Sequence, residues 1–161
     1  MKKPRLVLIG NGMAGVRTLE ELLKIAPDLY DITVFGAEPH PNYNRILLSP
    51  VLAGEQTLEQ IVLNPWDWYT QNNITLHAGF RVTQVDRVRR VVHAEAPDGR
   101  RIEAPYDRLL LATGSHAFVL PVPGNRLAGV VAYRDIADTQ AMIDAARTHR
   151  HAVVIGGGVL G

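Results

Sequence analysis

Six residues near the start of the chain, Gly10-Asn11-Gly12-Met13-Ala14-Gly15, carry the spacing G-x-G-x-x-G. Glycine at each of the three places answers a different physical need. Gly10 lets the chain turn tightly, Gly12 leaves the backbone bare so that a pyrophosphate can approach, and Gly15 lets a helix pack closely on a strand. The chemistry on offer is anion binding, because a helix N-terminus presents N–H groups without intrahelical partners and about half a positive charge. With Asn11, Met13 and Ala14, these glycines form a candidate dinucleotide-binding turn.

Such a turn works only between a strand and a helix. Residues 5–9 form a short apolar run bounded by glycine, as in a strand buried on both faces, and Val16, Leu19, Leu22 and Leu23 recur at helical spacing until Pro27. Residues 31–35, Asp-Ile-Thr-Val-Phe, restore a strand, so the first 36 residues spell one βαβ unit with a right-handed crossover. A dinucleotide site also wants a carboxylate after the second strand to accept from ribose hydroxyls. Glu38 is the one acid there; it comes slightly late, and Ala37 stands at the more usual place, so both are candidates. The fingerprint alone does not say which dinucleotide binds.

Residues 40–49 read as a long surface loop, and Asn64-Pro65 as the N-cap and first-turn proline of a helix through Trp66, Trp68 and Tyr69. Residues 74–104 read as an antiparallel meander, from the alternation at 81–85 and 91–95 and the Asp98-Gly99 turn before 101–103. Leu109-Leu110-Leu111-Ala112 is another buried strand, ended by Thr113-Gly114, and Pro121, Pro123 and Gly124 mark a linker. A helix is expected over 135–147 with Ile136, Met142, Ile143 and Ala146 on its apolar side, then a strand at 152–155. A second glycine turn follows, with Gly156, Gly158 and Gly161 at fingerprint spacing and no helix after it.

The segment Tyr106-Asp107-Arg108-Leu109-Leu110-Leu111-Ala112-Thr113-Gly114-Ser115 resembles the second flavin motif of the FAD/NAD(P) two-dinucleotide-fold reductases, the pyridine nucleotide-disulfide oxidoreductase-like family. The resemblance implies FAD at the first glycine turn, backbone of Ala112, Thr113 and Gly114 close to the cofactor, adenine against Val82, and NAD(P)H at Gly156, Gly158 and Gly161 in a full-length protein. The run from Glu38 to Ser49 is similar to the matching loop of rubredoxin and ferredoxin reductases and, most closely, of assimilatory NAD(P)H-dependent nitrite reductase large subunits; it implies flavin-side roles for Arg45 and Ser49. Where ferredoxin-reductase relatives commonly carry lysine after that serine, this chain has Pro50, which favours the nitrite reductase branch.

The implied fold is α/β: a Rossmann-like FAD/NAD(P)-binding domain with a parallel sheet and an antiparallel β-meander insert, truncated at the start of the NAD(P)-binding domain. Residues 1–118 would be an incomplete FAD-binding domain, and 119–161 a linker and the beginning of the NAD(P)-binding domain. The implied activity is hydride acceptance from NAD(P)H by FAD and electron transfer onward, to siroheme and iron–sulfur centres in domains outside these residues. The flavin does that chemistry, so no catalytic side chain is named. A homodimer and a small nitrite reductase subunit are the protein partners the resemblance allows.

Composition narrows the alternatives. With 17 Lys and Arg against 16 Asp and Glu, the net charge of +1 gives no field for nucleic acid or an acidic membrane. There is no cysteine, hence no thiolate metal site or dithiol chemistry within the 161 residues, and the six histidines show no ligand spacing, so no metal is expected. The run after Met1-Lys2-Lys3 stops at Gly10 without a cleavage site, and nothing approaches the ~20 apolar residues of a membrane span. The expected location is the cytoplasm. Two rivals stand beside the main reading: a rubredoxin or ferredoxin reductase, and a noncatalytic nucleotide-binding module.

Overall fold

Leu6, Val7, Leu8 and Ile9 are all buried, and alternate members face opposite sides of the sheet. Val7 and Ile9 join a cluster with Phe35, Phe80, Val92, Ala104 and Tyr106. Leu6 and Leu8 join another with Leu19, Ile32, Val34, Tyr69 and Ile74. A strand covered on both faces must be apolar at every position, which is why this run does not alternate with polar residues.

A computed structural model describes residues 3–157. In chain order its elements are β1 (Arg5–Ile9), α1 (Met13–Ile25), β2 (Asp31–Gly36), β3 (Asn42–Tyr43), α2 (Leu48–Leu52), β4 (Val62–Asn64), α3 (Trp66–Gln71), β5 (Ile74–Ala78), β6 (Arg81–Asp86), β7 (Val91–Glu95), β8 (Arg101–Pro105), β9 (Arg108–Leu111) and α4 (Ile136–Thr148). Short 3-10 turns lie at Arg45–Leu47 and Glu59–Ile61.

The chain divides into two units. One joins residues up to Asn44 with Val62–Gly114. Its main sheet has the order β5-β2-β1-β9 and is parallel throughout, with Leu6 opposite Ile32 on one side and Arg108 on the other. The antiparallel sheet β6-β7-β8 packs Val92, Ala94 and Ala104 into the cluster around Phe35 and Phe80. The α/β architecture with a three-stranded meander is therefore as the sequence leads one to expect. The other unit joins Arg45–Ile61 with the residues from Ser115 onward. There Leu48, Val51 and Ile61 are buried, as are Ile136 and Thr139 of α4. Asp135 and Asp138 close a capping box at the start of α4.

Several expectations need correction. Residues 74–78 belong to the parallel sheet and not to the meander: β5 pairs with β2, Ile32 opposite Ile74 and Phe35 opposite His77. Its Ile74 packs on the helix-covered face, and that burial outweighs the local alternation. Residues 40–49 are not a featureless loop, since β3 pairs with β4 and a 3-10 turn runs into α2. Pro65, not Asn64, is the N-cap of α3; the Asn64 side chain is drawn into other hydrogen bonds. Leu111 is 64% exposed, because β9 is the edge of the sheet among the described residues. Ala146 is exposed on α4, and residues 152–155 form no strand: Val153, Val154 and Ile155 are exposed and pair with nothing among the described residues. An apolar run becomes a strand only when a neighbour supplies its ladder of hydrogen bonds.

Candidate functional site

Three strand ends meet at the glycine turn. The Gly10 N–H donates to Phe35 O at 2.8 Å and the Ala112 N–H donates to Ile9 O at 2.8 Å, so the carboxyl ends of β1, β2 and β9 lie side by side. Ligands of open α/β sheets bind outside such carboxyl ends.

Each glycine of the turn has a separate, visible reason. Gly10 has φ +113°, and a β-carbon there would stand 2.0 Å from Ala112 O, so both its conformation and its packing exclude a side chain. At Gly15 a β-carbon would meet Gly10 O at 2.7 Å and Leu8 Cδ1 and Ala112 Cβ at 3.0 Å; its absence lets α1 sit down on β1 and β9. Gly12 is different. A β-carbon there would meet no protein atom within 4 Å, and its φ of −101° is open to any residue. Protein packing does not require glycine at 12, and the bare backbone faces open space at the start of α1. No side chain caps that helix and its first turn carries no acid. The amino end thus keeps unneutralised donors, and the residues present fit a dinucleotide pyrophosphate.

Around this turn the other expected residues are distributed unevenly. Ala37 is exposed and offers only a methyl group, whereas the half-buried Glu38 is held in place: Tyr43 Oη donates to its Oε2 at 2.7 Å, and its carbonyl accepts from the Gly79 N–H at 3.0 Å. Val82 is partly buried against the Phe35 cluster. His77 stacks on Phe35 with centroids 5.0 Å apart, and burial pushes its pKa down, keeping the ring neutral near pH 7. Gly114, with φ +71°, makes the bend after β9, and Thr113 and Gly114 are exposed there.

Asn11 sits within the turn, but its side chain is engaged by protein: Nδ2 donates to His40 O at 3.2 Å and Oδ1 accepts from Tyr69 Oη at 2.7 Å. The sequence places Tyr69 on a short helix and names no partner for its hydroxyl. A tyrosine at the apolar face of a helix always brings a hydroxyl that must find a partner, and that was the available signal. Burial pushes the Tyr69 phenol up, which keeps it protonated and able to donate.

Arg45 and Ser49 lie in the second unit, where Arg45 Nη1 donates to Arg134 O at 2.7 Å and the Ser49 and Tyr133 hydroxyls are 2.9 Å apart. Gly156 is exposed with φ +129°, while Gly158 and Gly161 lie outside the described residues. Among the described residues no cluster of potential metal ligands occurs and no helix is long and apolar enough to cross a membrane.

Residues 4–161 match the sequence profile described as pyridine nucleotide-disulphide oxidoreductase. The chain belongs to that family. It is 55% identical over its whole length to nitrite reductase [NAD(P)H] of Bacillus subtilis (strain 168), covering 20% of that protein. It is 49% identical, again over its whole length, to the assimilatory nitrate reductase electron transfer subunit of the same organism, covering 20%. The chain spans about a fifth of the length of these curated relatives. Among solved structures, NADH:rubredoxin oxidoreductase from Clostridium acetobutylicum superposes with a TM-score of 0.83 at 26% identity, over 99% of this chain and 40% of that one. The family membership and the α/β architecture agree with the resemblance and the fold class read from the sequence. These 161 residues contain no cysteine and so no redox-active dithiol of their own.

Proposed function

We propose that this chain is the FAD-holding part of an NAD(P)H-dependent flavoprotein reductase of the nitrite reductase type. The observation that carries the proposal is the vacant side-chain position at Gly12, where the protein has no steric need for glycine and α1 begins uncapped. The 55% identity to a nitrite reductase supports the choice of branch.

When bound, FAD would supply the acceptor for hydride from NAD(P)H. What the residues of this chain do is bind and orient. The turn from Gly10 to Gly15 and the amino end of α1 take the pyrophosphate, with Met13 and Ala14 contributing backbone only. Glu38, held by Tyr43, accepts from ribose hydroxyls, and Ala37 has no part in that bond. Val82 would help to hold the adenine, and the backbone of the bend Ala112-Thr113-Gly114 the isoalloxazine end. Gly156, Gly158 and Gly161 contribute to the NAD(P)H site, Arg45 and Ser49 to the flavin side, and residues 1–118 and 119–161 divide along that line. Iron–sulfur and siroheme centres outside these residues would take the electrons onward, and the protein would work in the cytoplasm with a second copy or a small subunit as partner.

Titration of the 161-residue chain with FAD, beside Gly12→Asp, tests the reading. A β-carbon at 12 has open space within 4 Å and aspartate is a favoured N-cap residue, so the variant is expected to fold, with its carboxylate where the pyrophosphate would lie. Saturable binding by the parent and none by the variant is the expected result. Equal binding by both overturns the assignment of the turn. A second reading, a rubredoxin reductase, is favoured by the fold match to NADH:rubredoxin oxidoreductase. Reduction of added rubredoxin by NADH, at rates exceeding those with nitrite-reducing partners, would decide for it.

A further inference from the structure

A run of side-chain hydrogen bonds leads from the glycine turn, by way of α3, β3 and β4, back to the middle of α1. Tyr69 Oη donates to Asn11 Oδ1 at 2.7 Å and accepts from the Asn42 N–H at 3.2 Å. Asn42 Nδ2 donates to Asn64 Oδ1 at 2.7 Å, and Asn64 Nδ2 donates to Glu20 Oε1 at 2.8 Å. Tyr69, Asn42 and Asn64 are each only 2% exposed. The circuit therefore grips α1 at two places, through the turn that precedes it and through Glu20 two turns along.

Asn11 is the member that touches the proposed ligand turn. Its amide is held at both ends, by His40 O and by Tyr69 Oη, and its β-carbon lies over Gly36, where a β-carbon would be 2.8 Å away. Gly36 is thus bare because Asn11 occupies the space above it. A residue flanked by Gly10 and Gly12 has little steric restraint of its own, since both neighbours are conformationally permissive. The hydrogen bonds of its side chain add to the backbone bonds of Gly10 N–H to Phe35 O and Val16 N–H to Gly12 O in holding the turn in one orientation.

We propose that Tyr69 is a positioning residue for the dinucleotide turn: acting through Asn11, its hydroxyl holds the backbone between Gly10 and Met13 in the phosphate-binding conformation before the ligand arrives. This rests on the FAD reading given above. Preorganisation of this kind raises affinity by removing the entropy of ordering the turn from the binding step. The aromatic ring, packed with Leu8, Leu19 and Ile74, supplies stability; the hydroxyl supplies the positioning. The two contributions are separable because phenylalanine keeps the first and lacks the second.

The test is FAD titration of the parent, Tyr69→Phe, Asn11→Ala and the double variant, with thermal unfolding of each apo chain measured in parallel. Val91→Ala, buried in β7 and outside the cluster that holds Tyr69, serves as a control that lowers stability away from the turn. Tyr69→Phe is expected to weaken FAD binding roughly tenfold, and the double variant to bind no more weakly than the weaker single variant. Val91→Ala is expected to unfold earlier with unchanged FAD affinity. If Tyr69→Phe lowers the unfolding temperature but binds FAD as the parent does, or if its effect adds to that of Asn11→Ala, Tyr69 is structural only and the inference falls while the FAD reading stands. A parent that binds no FAD overturns both. Should Tyr69→Phe fail to fold, Asn11→Ala alone decides, since the same roughly tenfold loss is expected of it and parental affinity overturns the inference.

Discussion

The carboxylate of Asp107 accepts three hydrogen bonds from Arg5: from its backbone N–H at 2.7 Å, and from Nε and Nη2 at 3.1 Å each. The pair sits at the amino ends of β1 and β9, opposite the glycine turn, and fixes the register that brings Ala112 beside Gly10 at the other end. Arg5 holds the Asp107 pKa down at about 2, below the usual 3.8. A depressed carboxylate contributes stability above its unfolded pKa and loses it as pH falls through the folded one. Asp107→Asn should therefore be less stable than the parent at pH 6, with the difference shrinking between about pH 4 and about pH 2. Urea unfolding of both proteins across that range checks it; a difference independent of pH would contradict the ion-pair account.

Gly10 and Gly12 should answer oppositely to the same substitution. Gly10→Ala forces a β-carbon against Ala112 O at a positive φ, and a loss of about 3 kcal/mol or more is expected. Gly12→Ala adds a methyl group in open space, and its unfolding free energy should stay within about 1 kcal/mol of the parent. Chemical denaturation measures both. Equal losses would mean that the turn is not packed as described.

Gly12→Asp should separate stability from binding. Aspartate at an N-cap accepts from the first-turn N–H groups and favours the helix dipole, worth about 1 kcal/mol. The variant is expected to unfold at higher denaturant than the parent while losing FAD. A destabilised Gly12→Asp protein would leave its loss of binding without meaning.

Glu38 and Tyr43 should act as a pair. The hydroxyl that holds the Glu38 carboxylate at 2.7 Å is useful to a ribose only if the carboxylate is used, so Glu38→Gln and Tyr43→Phe should each weaken FAD binding by about threefold to tenfold, and together no more than the worse of the two. Ala37→Ser should leave binding unchanged. Isothermal titration with FAD distinguishes the cases; a strong effect at Ala37 would move the ribose contact there.

Local chemistry was enough to read much of the fold around the glycine turn. A glycine pattern between an apolar run and a helical one has few other uses, and residues 10–15 and 31–36 fold as their composition requires because strand burial and helix packing there are decided largely by neighbours within one βαβ unit. The hairpin spacing at 81–105 likewise needs only adjacent strands.

What lay beyond the sequence depends on partners far away along the chain. Residues 74–78 alternate like a meander strand, yet their pairing with β2, more than 40 residues earlier, puts them in the parallel sheet. Asn64 has the chemistry of a helix cap, but Glu20 and Asn42 claim its amide, and a buried polar group takes the partners that burial leaves it. Asn11 looks like a ligand residue by position and is held by Tyr69 and His40 instead. Residue types and short spacings determined the elements and the anion-binding turn, since those rest on backbone freedom and periodicity. Only the tertiary structure decided which polar side chains meet one another around the turn, because a hydrogen bond is chosen by distance in space.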